Sequence, residues 1–498
     1  MPGAPDLSEV PEAGTLGVFR NGGFLRLWLS QAATQIGGNM VLYGLTVIVV
    51  RSTSSNTAVS ALILSFLVPA VLFSAVAGVY VDRIDRRVIL VATNVLRGLA
   101  FVALYLVGAH LALILLLNVF VSTVTVFFAP AEAALIPVLV PRRQLLAANG
   151  IFTLTLNASF ALGFALLGPL VVNVASPEAV ILIVAGLYFL AAIFCFTLPP
   201  SPPPDVVHEG RLGVGEAERA VGSTFAQLRE GLTFIRVNRS IGWSLLYLGI
   251  TASLIGVLGV LGPDFAKGAL GLDPKSFAVV VLPLGFGIVT GILLLNQYGR
   301  VFPRRRVIEG GLIALGVLMA CLSVAGPISR LLQRAGTPGG LDLSVLTSLL
   351  AVVVGIAFLA GIAYGFIAIP AQTQLQEDLP EDVRGRVFGV LNMLVSVASF
   401  LPIILVGPIS DVFGTAAVIF GVAIIVLVAG VASVLMRGPL RPSEARPAVD
   451  PHAVDPFAAA LGADHATLSE RERQSRPGAS EVPTEPEGTG PADRADRD

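Results

Sequence analysis

Two ionisable side chains stand inside long apolar runs, where a charge is costly and usually tied to a function. Arg97 lies ten residues beyond Arg87, and Glu132 lies nine residues before Pro141. At about 1.5 Å per helical residue, each sits roughly 14 Å from the same side of the apolar layer, so neighbouring helices can pair them. Two roles are open for the pair. Glu132 can be a proton-carrying carboxylate tuned by burial and by Arg97, or the two can form a fixed ion pair that offsets the desolvation of both. Further polar side chains recur at helical spacing: Gln31, Gln35 and Asn39; Asn118, Ser122, Thr125 and Glu132; Ser244, Tyr247 and Thr251; Asn392, Ser396 and Ser399. Such stripes are expensive against lipid and should point inward. Gln31, Gln35, Asn39, Asn118, Ser122, Thr125, Tyr247 and Asn392 are therefore candidates to line a central cavity, the alternative being hydrogen-bond glue between helices.

Covalent chemistry finds little support. The four histidines and two cysteines form no metal-ligand spacing, and Cys195 and Cys321 lie within apolar runs as buried thiols. No Gly-Lys-Ser/Thr loop that would cradle a nucleotide phosphate is present. No catalytic residue, cofactor or metal is expected. The formal charge of −1 gives no basic field for a nucleic acid.

The elements that must position these residues are membrane spans. Of the 498 residues, 55% are hydrophobic and only 13% charged, against about a quarter charged in a soluble domain. Long apolar runs predict spans at 24–50, 57–81, 88–109, 111–137, 145–173 and 177–198, then at 241–263, 276–297, 307–327, 344–370, 386–409 and 414–436. The chain thus reads as an all-α integral membrane protein. Residues 1–23 form an N-terminal segment, 24–198 a first six-helix bundle, 199–240 a linker, 241–436 a second bundle and 437–498 a disordered tail. Within the linker, Thr224 and Gln227 make a capping box, and Phe225, Leu228, Leu232 and Ile235 make the apolar stripe of an interfacial helix. The acidic, proline-rich start, with no apolar core after a basic patch, is not expected to be a cleavable leader.

Most cationic residues before the tail, among them Arg20, Arg26, Arg83, Arg86, Arg87, Arg142, Arg143 and Arg304 to Arg306, fall on the side of the N-terminus. The other side holds Arg51, Lys267, Lys275, Arg330 and Arg334. This asymmetry places both termini in the cytoplasm and the chain in the plasma membrane. The halves also repeat. Pro141 and Pro380, Gly150 and Gly389, Thr153 and Asn392, Asn157 and Ser396, and the dipeptides Gly168-Pro169 and Gly407-Pro408 share one separation of 239 residues. Two parallel six-helix repeats are the pattern of a large class of secondary transporters.

The segment Gly78-Val-Tyr-Val-Asp82-Arg83-Ile-Asp85-Arg86-Arg87, between spans two and three, resembles the signature loop of the major facilitator superfamily. The resemblance implies that Gly78, Asp82, Arg83, Arg86 and Arg87 form a gating loop that latches the two halves; Asp85 stands where that family usually has glycine. The segments Phe24-Leu-Arg-Leu-Trp28, Gln35-Ile-Gly37, Pro130 to Pro137 and Glu230 to Arg236 resemble the macrolide-efflux and siderophore-export branch. That branch implies export of bulky amphipathic molecules, commonly by proton antiport. This chain carries Gly38 and Asn39 where the branch often has an aspartate, and its span-five antiporter motif is reduced to Gly163 and Gly168-Pro169. An uncoupled facilitator or importer of a small solute therefore stays open beside the exporter. The expected partners are a small-molecule substrate, protons where coupling exists, and lipid. With both halves in one chain, the expected state is a monomer.

Overall fold

The computed structural model describes residues 15–81, 83–141, 144–201, 239–299, 302–335, 348–377 and 384–437. Among them are twelve helices long and apolar enough to cross a membrane. Spans one to four are Gly22–Thr53, Asn56–Val81, Arg86–Val107 and Leu111–Leu139. Span five is composite, Leu145–Phe160 followed by Ala161–Leu167 and Gly168–Val174, and span six is Pro177–Phe196. Spans seven to twelve are Arg239–Leu270, Ala278–Tyr298, Arg304–Ser323, Leu349–Glu377, Arg384–Phe413 and Thr415–Arg437. The count and order agree with the sequence reading.

Local chemistry explains the boundaries. Asn21 caps span one, accepting from the N–H groups of Gly23 and Phe24, and its amide donates to the Leu139 carbonyl at the end of span four, 2.6 Å away. Asp85 and Ser176 cap spans three and six in the same way. Three elements depart from expectation. A 3-10 turn, Thr15–Arg20, precedes span one and buries Val18, so the N-terminal segment is partly built into the first bundle. Span nine stops at Ser323, and a separate amphipathic helix, Ala325–Ala335, occupies what reads as a span end and loop. Ala161–Leu167 is a π-helical turn instead of α-helix. The linker helix, the tail, Asp82, Arg142 and Arg143 lie outside the described residues.

An even number of spans puts Gly22 and Arg437 on one face, called here the terminal face; the opposite one is the far face. The buried apolar residues divide accordingly. One cluster joins the far ends of both halves, with Val41, Val49 and Val59 from the first, and Val260, Phe277 and Ile403 from the second. Towards the terminal face the core splits. Leu27, Leu90, Phe128 and Leu135 pack within the first half, and Leu248, Ile308, Leu312 and Ile367 within the second. Large side chains such as Leu106, Val174, Leu293 and Met436 stay exposed on the outside, as a lipid-facing wall requires.

Glycines set the closest approaches. A Cβ on Gly361 in span ten would collide with the Leu284 carbonyl oxygen of span eight, and one on Gly287 with the Phe358 carbonyl of span ten. Without those side chains the two backbones touch, as small-residue helix packing in membranes allows.

Candidate functional site

Arg97 is 2% exposed in span three. Its Nη2 donates to Asn94 Oδ1 at 2.6 Å and its Nε to the Thr93 carbonyl at 3.2 Å. Its guanidinium lies 4.6 Å from the ring centroids of both Phe128 in span four and Tyr188 in span six, and Tyr188 is in turn stacked on Phe101. A desolvated cation between two ring faces is held by their quadrupoles. Glu132, one turn beyond Phe128, is 6% exposed, and its Oε1 has no hydrogen-bond partner. The expected direct ion pair is thus absent among the described residues. Arg97 is committed to the two rings and to Asn94. A buried carboxylate oxygen with no donor is positioned to receive one from outside the protein.

Around this centre the Cys195 thiol in span six meets Ser30 Oγ at 3.1 Å, and Asn94 Nδ2 donates to the Cys195 sulfur at 3.6 Å. Spans one, three and six are therefore tied by a polar knot that their isolated polar residues did not disclose. Gln31, on the same turn as Ser30, is 2% exposed and also presents an Oε1 without a partner. Gln31, Asn118 and Glu132 are thus the three expected site residues in the first half that offer buried, unmet acceptors.

Other candidates fall elsewhere. Asn118 donates to Ser65 Oγ and to the Leu62 carbonyl, and Ser122 to the Phe66 carbonyl. Both are glue between spans two and four, although Asn118 Oδ1 stays unpaired. Thr125 bonds back to the Val121 carbonyl of its own helix. Asn39 donates to the Gln35 carbonyl and packs against Gly163 of span five, so its amide is used within the helix. Gln35 is half-buried. Tyr247 is fully buried between spans seven and twelve, where its hydroxyl meets Ser433 at 2.6 Å and accepts from Arg437 Nη1. It does not line a cavity. The side chain of Asn392 lies outside the described residues.

A comparable knot in the second half centres on Glu309 of span nine. Glu309 is 6% exposed, accepts from Arg305 Nε at 2.7 Å and takes a further bond from Ser433. Spans seven, nine and twelve are joined there as one, three and six are in the first half.

In the expected gating loop, Asp85 accepts from the N–H groups of Arg87 and Ser201. Arg86 bonds to Ser201 through its backbone and its Nη1, and Arg87 lies 4.9 Å over the Phe196 ring. Among the described residues, these contacts of Asp85, Arg86 and Arg87 bind the end of their own half. Asp85 occupies its unusual position as the helix cap of span three. Gly78 lies on the last turn of span two, Arg83 follows the turn after it, and Asp82 is outside the described residues.

The halves meet instead at the far face. Asp411 of span eleven accepts from the N–H groups of Asn56 and Thr57 and from the hydroxyls of Ser55 and Thr57, capping span two from the other half. Asp264 of span seven bonds to Asn56 and to Thr415. Arg51 pairs with Asp273 in the loop after span seven at 3.0 Å. None of these contacts was foreseen. An aspartate near a span end gives no sign of the helix it will meet in another half.

Twelve spans arranged as two six-helix bundles give the architecture of a large class of membrane transporters. A family model described as "Major Facilitator Superfamily" matches residues 27–403, and the chain belongs to that family. It is 27% identical over 387 residues to the MFS-type transporter YfiS of Bacillus subtilis (strain 168), covering 77% of this chain and 86% of that one. It is 22% identical to macrolide efflux protein A of Streptococcus pyogenes, over 78% of this chain and 90% of that one, in line with the branch its sequence resembles. A crystal structure of the nucleoside transporter NupG superposes with a TM-score of 0.59 at 13% identity, over 84% of this chain and 99% of that one, and shares the fold.

Proposed function

We propose that this protein is a secondary active exporter of amphipathic small molecules, of the size class of macrolides, working by alternating access in the plasma membrane with both termini in the cytoplasm. The terminal face is then the cytoplasmic side, and the described conformation is closed outward and parted inward. The observation that carries the reading is the division of the apolar core, continuous between halves at the far face and separate at the terminal face. The direction of transport is taken from the macrolide-efflux relative and from the arginine asymmetry that fixes the inner side.

In this reading Glu132 is the coupling group. Its unmet Oε1 lies in the first half, where it can take a proton in one state and yield it in the other. The test is accumulation of a fluorescent amphipathic dye in a drug-sensitive bacterial host expressing the chain, with and without a protonophore. Lower accumulation that the protonophore abolishes supports driven export. If Glu132→Gln leaves both transport and its pH dependence unchanged, coupling through Glu132 is wrong, and the uncoupled facilitator, favoured by the absence of a span-one carboxylate, takes its place.

A further inference from the structure

Span five contains Ala161-Leu-Gly163-Phe164-Ala-Leu-Leu-Gly168-Pro169. In an α-helix the N–H of residue 169 would bond to the carbonyl of Ala165. Proline has no such N–H, and its ring crowds that carbonyl. The chain answers with a wider turn. Ala161–Leu167 is π-helical, and the Gly168 N–H bonds to the Gly163 carbonyl five residues back. The turn is pressed onto span one, since a Cβ on Gly163 would lie 2.8 Å from Asn39 Cβ and one on Gly168 3.0 Å from Tyr43 Cβ.

The turn carries Phe164, which is 4% exposed. Its ring lies edge-on to Tyr43 of span one, with centroids 5.6 Å apart, and at 6.0 Å from Phe277 at the start of span eight. Tyr43 and Phe277 stack at 4.4 Å, and the Tyr43 hydroxyl donates to the Lys275 carbonyl. Tyr43 and Phe164 come from one half and Phe277 from the other, so this aromatic group plugs the far end of the seam. The repeated dipeptide provides a control. Gly407-Pro408 lies within one continuous helix, Arg384–Phe413, where Gly407 admits the Asn56 carbonyl and Ser60 of span two. The glycine-proline pair alone does not make a π turn; the turn on span five occurs where the plug needs it.

We propose that this π turn is the moving part of the far gate. Its return to α-helical register withdraws Phe164 from Tyr43 and Phe277 and opens the far end. Removing the extra residue from the turn rotates the two parts of span five against each other by about 100°, one residue's worth of helix. Pro169, which cannot supply the N–H an α turn would use there, and the aromatic contacts both favour the π register while the far end is closed, so weakening either one shifts the population toward the α register. This rests on the alternating-access reading above.

The test is a spin-label distance between Glu178→Cys and Ala416→Cys, exposed far-face positions in opposite halves, in a Cys195→Ser, Cys321→Ser background reconstituted in lipid. Deletion of Leu166 removes the extra residue and is expected to raise the long-distance population by at least about threefold. Pro169→Ala restores the missing donor and should shift it in the same direction by less; it decides the matter alone if the deletion protein does not fold. Asp411→Ala, which weakens the far face without touching span five, serves as the independent opener. If it lengthens the distance while neither span-five variant does, the π-turn inference is overturned and alternating access stands. If none of the three lengthens it, both fall.

Discussion

Arg51, on the last turn of span one, holds Asp273 of the opposite half at 3.0 Å on the far face, with both side chains nearly half exposed. Partial burial pulls the Asp273 carboxyl upward, but the Lys275 N–H it accepts and the Arg51 guanidinium outweigh this and hold it below the usual carboxylate range. A depressed carboxylate contributes above its ordinary value, about 3.9, and the contribution is lost as pH falls through the depressed value. Between about pH 5 and 8 the contact is therefore constant. Arg51→Gln or Asp273→Asn should change the far-closed population by less than about fivefold, since an exposed pair contributes about 0–1 kcal/mol. The same spin-label distance, read at low and high salt, checks this, and the effect should shrink at high salt.

Asp411 should matter more. Its carboxylate caps the start of span two with two backbone N–H groups and two hydroxyls. Asp411→Ala removes about 1–2 kcal/mol of capping that exists only while the far face is closed, which is about 5- to 30-fold in the open fraction. A far-face distance unchanged from the parent would show that the cap does not hold the gate.

Glu309→Gln leaves the buried Arg305 guanidinium with a neutral partner. Breaking a buried pair on one side costs about 3–5 kcal/mol, so thermal denaturation of the purified protein in detergent should show a large loss. Ser433→Ala, which removes one hydroxyl from the same knot, should cost about 1 kcal/mol.

Gly361→Ala should prevent normal packing of spans eight and ten. Its Cβ would overlap a backbone carbonyl and lie 2.9 Å from Gly287 Cα, and neither backbone can turn aside as a side chain would. The expected cost exceeds the roughly 1–3 kcal/mol of ordinary overpacking. Gly186→Ala in span six meets nothing within 4 Å and should be neutral or stabilising in the same melting assay, because alanine is the better helix former.

The sequence by itself determined the number and order of the spans, the division into two repeats and the burial of Arg97, because apolar run length and the cost of charge in lipid act on each segment alone. It also marked Gln31 and Glu132 as inward-facing, since a stripe at helical spacing has only one direction free of lipid. What a polar residue meets when it turns inward depends on the neighbouring helix, and that only the tertiary structure decided. Arg97 found two aromatic rings and Asn94 in place of Glu132. Tyr247 and Glu309 met each other's partner, Ser433, within the second bundle. One dipeptide, glycine-proline, became a π turn against span one in the first half and a straight close approach to span two in the second. Hydrophobicity is a property of each residue and survives in the one-dimensional record. Hydrogen bonds, ring contacts and helix register are properties of pairs, and those pairs are made only when the bundles close.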